Sequence, residues 1–214
     1  MVNDLRLVCV LIFINIRELI NIKLLDMKRN KTSNYLNKIE LNEWLNWLKK
    51  NEKWRYYLLV KLGVSSLLRY SDLKKIKWED ILDRDRFFIS EQKTGKKREI
   101  RISNELRESI KMVYNKMNDN YSDIIFPFHI NSVNHYIEKS LYNSGIRKSN
   151  ISTHSFRKSG GRFIWESNNK SDESILMLSL LFNHSSTSIT RRYLGIEREK
   201  VQDMYRFQEE MFLV

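Results

Sequence analysis

The chain has 214 residues, of which 42% are hydrophobic and 30% charged, with a formal net charge of +12 and a pI of about 9.7. This balance is typical of a soluble globular domain and excludes an intrinsically disordered chain. The positive charge favours a polyanionic partner, with nucleic acid first and an anionic membrane surface second. The single cysteine, Cys9, excludes an internal disulfide and a multi-cysteine zinc site, and we expect a reducing compartment, the cytoplasm.

The N-terminal segment carries an apolar run, residues 7–14, which is too short for a membrane span of roughly 20 residues. It also lacks the basic start and the cleavage site of a secretory signal. Three interpretations remain open: a helix or strand that packs on the main domain or on another subunit, an upstream translation extension with Met27 as the start, and membrane attachment. We predict the first and expect no membrane partner. The chain divides into this extension, residues 1–37, and a main domain, residues 38–214.

The first half of the main domain is predicted to contain three helices, followed by a change of periodicity. Apolar residues at i, i+3, i+4 and i+7 indicate an amphipathic helix over residues 41–48. Residues 54–68 are apolar on most sides, which indicates a buried helix, and residues 71–78 are predicted to form another short one. Two strand-like segments that flank a turn at Gly95 then predict a β-hairpin over residues 87–102.

The second half of the main domain is predicted to be helical. Ser103 and the pair Ser185 and Ser186 are candidate helix N-caps, and an acidic first turn opens the hydrophobic helix that starts at Ser171. The predicted helices cover residues 106–117, 133–141, 155–165, 171–182, a short segment with Tyr193, and 201–208. We therefore expect an α+β fold that is mainly α, with one small antiparallel β-sheet or hairpin.

Six side chains suited to phosphate chemistry lie along this domain: Arg69, Lys93, His154, Arg157, His184 and Tyr193. A guanidinium is always charged and offers a planar fork to two phosphate oxygens. Because Arg157 follows His154 by three residues, a helix would place both side chains on one face. A tyrosine phenol has an ordinary pKa of about 10, so Tyr193 needs a proton acceptor to act as a nucleophile near neutral pH.

The segments that hold these residues resemble the tyrosine recombinases, the phage-integrase family of enzymes that break and rejoin DNA at specific sites. LLRYSDLKKIKWEDI resembles the first arginine box of the family, with Asp72 where a carboxylate is usual, and HSFR resembles the His-x-x-Arg box. NHSSTSITRRYLGI resembles the closing segment, in which His184 and Tyr193 lie nine positions apart. The resemblance covers residues 38–205 and implies the catalytic-domain fold of this family for residues 38–214.

The resemblance implies a role for each candidate. Arg69, Arg157 and His184 would bind the scissile phosphate, which gains negative charge during the attack. Tyr193 would attack the phosphorus and form a 3′-phosphotyrosine linkage, while His154 would accept the phenolic proton. No metal or other cofactor is expected.

Lys93, at the tip of the hairpin, would protonate the departing 5′ oxygen, and Lys96 competes for this role because it lies only three residues away. Further basic residues cluster near the boxes and are predicted to contact the DNA backbone: Lys74, Lys75, Lys96, Lys97, Arg98, Lys158, Arg162, Arg191 and Arg192. The expected partner is double-stranded DNA, on which a monomer would assemble into a homo-tetramer.

The main prediction is a site-specific DNA recombinase or integrase of a phage or other mobile genetic element. Two alternatives remain open: an enzyme like a type IB topoisomerase, and a DNA-binding regulator or relic without turnover. The four ordered boxes favour an active enzyme. The family usually has a separate helical clamp domain before the catalytic domain, whereas residues 1–37 leave little or no room for one. Lys158 also stands where the family often has a second histidine.

Overall fold

A computed structural model describes residues 32–212, and the predictions for residues 1–31 lie outside this range. The elements follow in the order α1 (Lys38–Lys50), α2 (Trp54–Ser66), α3 (Tyr70–Leu73), α4 (Trp78–Ile81), β1 (Arg86–Ser90), β2 (Lys97–Arg101), α5 (Asn104–Lys116), α6 (Ile130–Asn143), α7 (Thr153–Ser167), α8 (Asp172–Phe182), α9 (Thr187–Leu194) and α10 (Ile196–Phe212). The predicted fold class, mainly α with a small antiparallel sheet, is confirmed. Within the described range, no helix combines the length and apolar character needed to cross a bilayer.

The amphipathic helix α1 begins at a capping box. The Asn37 side chain accepts a hydrogen bond from the Glu40 amide, and the Glu40 carboxylate accepts one from the Asn37 amide. These reciprocal bonds satisfy backbone donors that the first turn of a helix leaves free. Leu41, Trp44 and Leu48 are buried at the predicted helical spacing, so this face of α1 packs into the core.

The central contact of the fold is between α2 and α7, which pack closely along their lengths. A methyl group added at Gly160 of α7 would collide with the backbone oxygen of Val64 and would lie 2.5 Å from a methyl carbon of Leu67. Only a residue without a side chain allows the two helices to approach so closely. Because Arg157 lies one turn before Gly160, this contact also fixes the position of Arg157 against the end of α2.

The hairpin pairs β1 with β2 in antiparallel register, with Phe87 opposite Ile100. Both of these side chains are buried, while their neighbours along the strands are more exposed. The chain turns where the Gly95 amide donates to the Glu91 carbonyl at 2.8 Å. After β2, the Ser103 side chain accepts from the Leu106 amide and caps α5, as predicted.

The prediction of one short helix over residues 71–78 is wrong. The structure has α3, then a turn at residues 74–75 and the bridge residue Lys77, and then α4. The cause is a pairing between distant segments: Lys77 forms an isolated antiparallel bridge with Ile124, and the Ile125 amide donates to the Ile76 carbonyl at 3.0 Å. These backbone groups cannot make helical hydrogen bonds at the same time.

The last two helices are separated by a sharp turn at Gly195, which has φ of 79°. This left-handed conformation favours glycine because it carries no Cβ. The side chain of Ser186 caps α9, as predicted. A second apolar cluster lies under the turn: Leu67, Trp165, Ile175, Leu178, Phe182, Leu194 and Ile196. This cluster anchors α9, the helix that carries Tyr193.

Candidate active site

Arg157 is the most deeply buried of the six predicted catalytic residues, with 3% of its surface exposed. Its guanidinium donates to the backbone oxygens of Leu67, at 2.6 Å, and Phe182, at 2.8 Å. The guanidinium also lies 4.5 Å from the centroid of the Phe182 ring. Burial and the nearby charge of Arg69 lower the pKa of Arg157 to about 10. Arg157 is therefore still a fixed cation at neutral pH.

Arg69 precedes α3 and lies beside Arg157. Its guanidinium donates to the backbone oxygen of Phe182 at 3.4 Å and to the carboxylate of Glu91 at 2.9 Å. The Phe182 carbonyl is at the C-terminal end of α8, where a helix carries partial negative charge. This carbonyl is a shared acceptor that holds the two guanidinium groups next to each other.

Glu91 is a buried carboxylate behind the two arginines, with 1% of the residue exposed. Besides Arg69, its oxygens accept hydrogen bonds from Arg98 at 3.4 Å, from Asn183 at 3.2 Å and from Thr94 at 3.2 Å. Burial opposes its ionisation, but the Asn183 hydrogen bond and the charge of Arg69 outweigh burial and lower the pKa of Glu91. Glu91 is therefore ionised and compensates part of the positive charge of the site.

Sequence reasoning did not identify Glu91 or Asn183. A single glutamate next to a basic turn gives no sequence signal, and the carboxylate that the family resemblance singled out near Arg69 was Asp72. The structure shows instead that Asp72 is completely buried and accepts a hydrogen bond from the Gln92 amide at 2.8 Å. This bond ties α3 to the hairpin that carries Lys93.

Lys93 is exposed on the hairpin turn. It is close enough that its charge lowers the pKa of His154 and of His184, after the larger effects of burial, Arg157 and Arg69. Lys96, the competing candidate, donates to the Asn183 side chain at 3.0 Å. Of the two lysines, Lys96 thus has a partner on the loop after α8.

His184 lies on the loop between α8 and α9, where its Nδ1 is 2.9 Å from the hydroxyl of Thr190. Its ring centroid is 5.2 Å from that of Phe182 and 5.4 Å from that of Tyr193. Burial, Arg157 and Arg69 lower the pKa of His184 to about 4. The imidazole is therefore neutral at pH 7, and the Thr190 contact selects its ring orientation.

Tyr193 is half-buried in the last turn of α9, and its hydroxyl donates to the backbone oxygen of His154 at 3.3 Å. Burial raises the pKa of Tyr193 to about 12, although the charges of Arg157 and Arg69 act in the opposite direction. The phenol is therefore protonated at neutral pH. His154 is exposed in the first turn of α7, but partial desolvation of its ring and the charges of Arg157 and Arg69 lower its pKa. The ring is therefore neutral at pH 7 and can accept a proton.

The predicted DNA-contacting residues differ in how far their charged groups are exposed. The exposed members are Lys74, Lys75, Lys96, Lys97 and Arg192. Arg191 is half-buried and pairs with the Asp172 carboxylate at 2.7 Å. The exposed lysines and Arg192 present charge to solvent, as a contact with a DNA backbone requires.

Three other members do not fit the predicted backbone contact, because their charged groups point into the protein. Arg98 donates to Glu91 and, at 2.8 Å, to the Ser66 carbonyl. Lys158 is 7% exposed, donates to the Ser33 carbonyl at 3.0 Å, and has its pKa lowered by burial to about 8. Arg162 is 4% exposed and bound by acidic side chains. Among the described residues, no cluster of three or more His, Cys, Asp or Glu side chains is suited to a metal ion.

Comparisons with known proteins show which family the chain belongs to. The model of the phage integrase family matches residues 34–200. The chain is also 30% identical over 172 residues to the probable integrase/recombinase YoeC of Bacillus subtilis (strain 168), covering 78% of this chain and 90% of that protein. The chain belongs to the phage integrase family, the tyrosine recombinases.

Solved structures share the fold. XerH site-specific recombinase bound to palindromic difH substrate matches with a TM-score of 0.61 and 18% identity, over 84% of this chain and 54% of that chain. A lambda integrase dimer bound to a COC′ core site matches with a TM-score of 0.57 and 21% identity, over 76% of this chain and 48% of that chain. The chain thus spans about half the length of these two recombinase chains.

Proposed function

We propose that the protein is a site-specific DNA recombinase or integrase that cleaves and rejoins DNA through a covalent 3′-phosphotyrosine intermediate. The observation that carries the proposal is the position of the Tyr193 hydroxyl. It lies against the backbone of His154 at 3.3 Å, and the charges of Arg157 and Arg69 act directly on it. The residues proposed as the nucleophile and the base are therefore neighbours, and the two arginines proposed to bind the phosphate lie close enough that their charges act to lower the pKa of the phenol.

The two arginines have donors left for a phosphate. A guanidinium has five N–H groups, and the contacts described above use two nitrogens on each of Arg69 and Arg157. The remaining donors, together with His184, would bind the nonbridging oxygens and stabilise the charge that develops there during the attack. Because these groups are already held in place, the reaction requires little reorganisation of the site.

In the cleavage step, the Tyr193 oxygen forms a bond to the scissile phosphorus, and the bond from phosphorus to the 5′ oxygen breaks. His154 accepts the phenolic proton, and Lys93 gives a proton to the departing 5′ oxygen. The phosphotyrosine linkage retains the energy of the phosphodiester, so the 5′ hydroxyl of another strand can reseal it. The same residues then act in reverse.

The partner would be double-stranded DNA, and the exposed lysines near the site would contact its backbone. XerH and lambda integrase were each solved on DNA, and lambda integrase also as a tetramer bound to a Holliday junction. By analogy, we propose that this chain assembles as a homo-tetramer on two duplexes and serves a mobile element. Residues 38–214 would be the catalytic domain, and residues 1–37 an extension to it.

A nicked duplex tests this function directly, because the short fragment released by cleavage diffuses away and traps the covalent adduct. Nicked duplexes that tile the DNA flanking the coding sequence are incubated with the protein and resolved on denaturing gels. We expect a protein–DNA adduct that Tyr193→Phe abolishes and Tyr205→Phe, a change at an exposed tyrosine of α10, retains. An adduct that survives Tyr193→Phe would contradict the proposal, and plasmid relaxation without site preference would favour the topoisomerase alternative.

A further inference from the structure

Arg162 lies on α7, five residues after Arg157, and joins three separate parts of the chain. Its guanidinium donates to both carboxylate oxygens of Glu199 on α10, at 2.8 and 2.9 Å. It also donates to the backbone oxygen of Leu194 at 3.2 Å and lies 4.2 Å from the centroid of the Tyr35 ring. The Tyr35 hydroxyl donates to Glu199 at 3.3 Å. We call Tyr35, Arg162, Glu199 and the Leu194 carbonyl the Arg162 clasp.

The clasp holds both sides of the turn that follows Tyr193. Leu194 is the next residue, the chain then turns at Gly195, and Glu199 lies in the first turn of α10. A bidentate pair between a guanidinium and a carboxylate fixes direction as well as distance. The clasp therefore restrains the rotation and sliding of α9 relative to α7, the helix that carries His154 and Arg157.

The segment before α1 strengthens this connection. Besides the Tyr35 contacts, the Ser33 hydroxyl is 2.7 Å from the hydroxyl of Ser152, which caps the helix of His154. The Leu36 amide donates to the Ser159 hydroxyl at 2.8 Å. The clasp is thus part of a larger set of buried and partly buried polar contacts that connects the segment before α1, α7 and α10.

We infer that Arg162 and Glu199 are positioning residues that set where the Tyr193 phenol stands relative to the scissile phosphate. This inference rests on the proposed role of Tyr193 as the nucleophile. Neither side chain would touch the reacting atoms. Both act through the α9–α10 turn, so their loss displaces the phenol while the phosphate-binding groups stay in place.

Glu166 provides a matched control for Glu199. Its carboxylate accepts from Arg162 at 3.1 and 3.2 Å, and its side chain is 35% exposed, against 40% for Glu199. Glu166, however, lies on α7, one turn from Arg162, and makes no link to α10. If the glutamates only supplied hydrogen-bond acceptors to the buried guanidinium, the loss of either one would have the same effect on cleavage. If Glu199 positions Tyr193, its loss slows cleavage more than the loss of Glu166.

The first measurement is the rate of adduct formation on the nicked duplex. Because a misplacement of about 1 Å costs up to about a hundredfold in rate, we expect Glu199→Gln to slow the reaction by about ten- to about a hundredfold. Glu166→Gln should slow it by less than about threefold. Thermal unfolding of both variants shows whether they remain folded to the same degree. Tyr35→Phe removes only one hydroxyl from the clasp, and we expect its rate to lie between those of Glu199→Gln and the wild type.

The second measurement separates positioning from collapse of the site, using hydrogen peroxide as an external nucleophile with Tyr193→Phe. A peroxide oxygen loses its proton and forms the bond to phosphorus, and the bond to the 5′ oxygen breaks as that oxygen takes up a proton. This reaction needs the phosphate-binding groups but no placed tyrosine. We therefore expect Tyr193→Phe/Glu199→Gln to cleave with peroxide at the same rate as Tyr193→Phe.

Equal adduct rates for Glu199→Gln and Glu166→Gln would overturn the inference. A parallel loss of peroxide cleavage in the double variant would overturn it as well, because the substitution would then have damaged the whole site. A wild-type chain that forms no adduct on any tiled duplex would contradict the proposed function itself, and this result is distinct from the other two.

Discussion

Arg69 and Arg157 donate hydrogen bonds to the same backbone oxygen, that of Phe182, at 3.4 and 2.8 Å. Two cations that would repel each other are thus held side by side by one carbonyl at the C-terminal end of a helix, and the buried carboxylate of Glu91 compensates part of their charge. The repulsion between the two charges is therefore overcome when the protein folds, before DNA binds. Such preorganisation is the main way in which enzymes stabilise a charged transition state.

Arg69→Lys tests the need for a planar donor. Because an ammonium offers a point charge in place of the guanidinium fork, adduct formation should slow by about a hundred- to about a thousandfold. Stability should change little, since the lysine keeps a cation near Glu91. Arg69→Ala should in addition lower the free energy of unfolding in urea by about 1–3 kcal/mol, because Glu91 loses a hydrogen-bonded partner. Equal activity of Arg69→Lys and the wild type would contradict the proposed role of Arg69 in phosphate binding.

Thr190→Val tests the orientation of His184. The substitution keeps the shape of a fully buried side chain but removes the hydroxyl that contacts the imidazole Nδ1 at 2.9 Å. We expect adduct formation to slow by about tenfold, because tenfold corresponds to about 1.4 kcal/mol and one hydrogen bond contributes about 0.5–1.5 kcal/mol. Affinity for intact DNA, measured by fluorescence anisotropy, should be unchanged. A drop in affinity with an unchanged cleavage rate would be the opposite result and would assign Thr190 a binding role.

The pH dependence of stability should reveal the neutral state of His184. Its pKa in the folded protein is about 4, below the ordinary value of 6.5. As the pH falls, this histidine therefore takes up a proton in the unfolded chain before it does so in the folded protein. The stability that it contributes is complete above pH 6.5 and is lost as the pH falls from 6.5 towards 4. Urea unfolding of the wild type and of His184→Gln, measured without DNA, should show a weaker loss in the variant across this window. Parallel curves would show that His184 titrates normally.

Gly160→Ala tests the close approach of α2 and α7. The added methyl group would collide with the Val64 backbone oxygen, which cannot move aside as a flexible side chain would. We expect a loss of about 1–3 kcal/mol in the free energy of unfolding and a slower cleavage reaction, because Arg157 lies on the same helix. Gly95→Ala is the control: its methyl group meets no atom within 4 Å, and only the left-handed backbone at φ of 68° disfavours it. An unchanged stability of Gly160→Ala would contradict the packing described here.

The sequence was informative where a local pattern determines the structure. The spacing of Leu41, Trp44 and Leu48 predicted α1, and Ser103 and Ser186 cap the helices that they were expected to begin. The family boxes are equally local, which is why residues as distant as Arg69 and Tyr193 could be named before the fold was known. Capping and periodicity depend on neighbours within a few residues, so they can be read along the chain.

The sequence was not informative where a side chain's environment depends on distant segments. Glu91 receives its partners from the residue before α3, from β2 and from the loop after α8, and no local pattern distinguishes it from a surface glutamate. Arg98 and Arg162 were predicted to contact the DNA backbone, yet tertiary packing turns them towards buried acceptors. The break between α3 and α4 has the same origin, because the bridge from Lys77 to Ile124 overrides the local helical preference.

The most direct test of the central claim is to identify the residue that carries the DNA. The trapped adduct is digested with nuclease and protease, and the nucleotide-linked peptide is sequenced by mass spectrometry. We predict a single linkage between Tyr193 and the 3′ phosphate of the cleaved strand. A nucleotide on any other residue, or a linkage to the 5′ end of the DNA, would contradict the account.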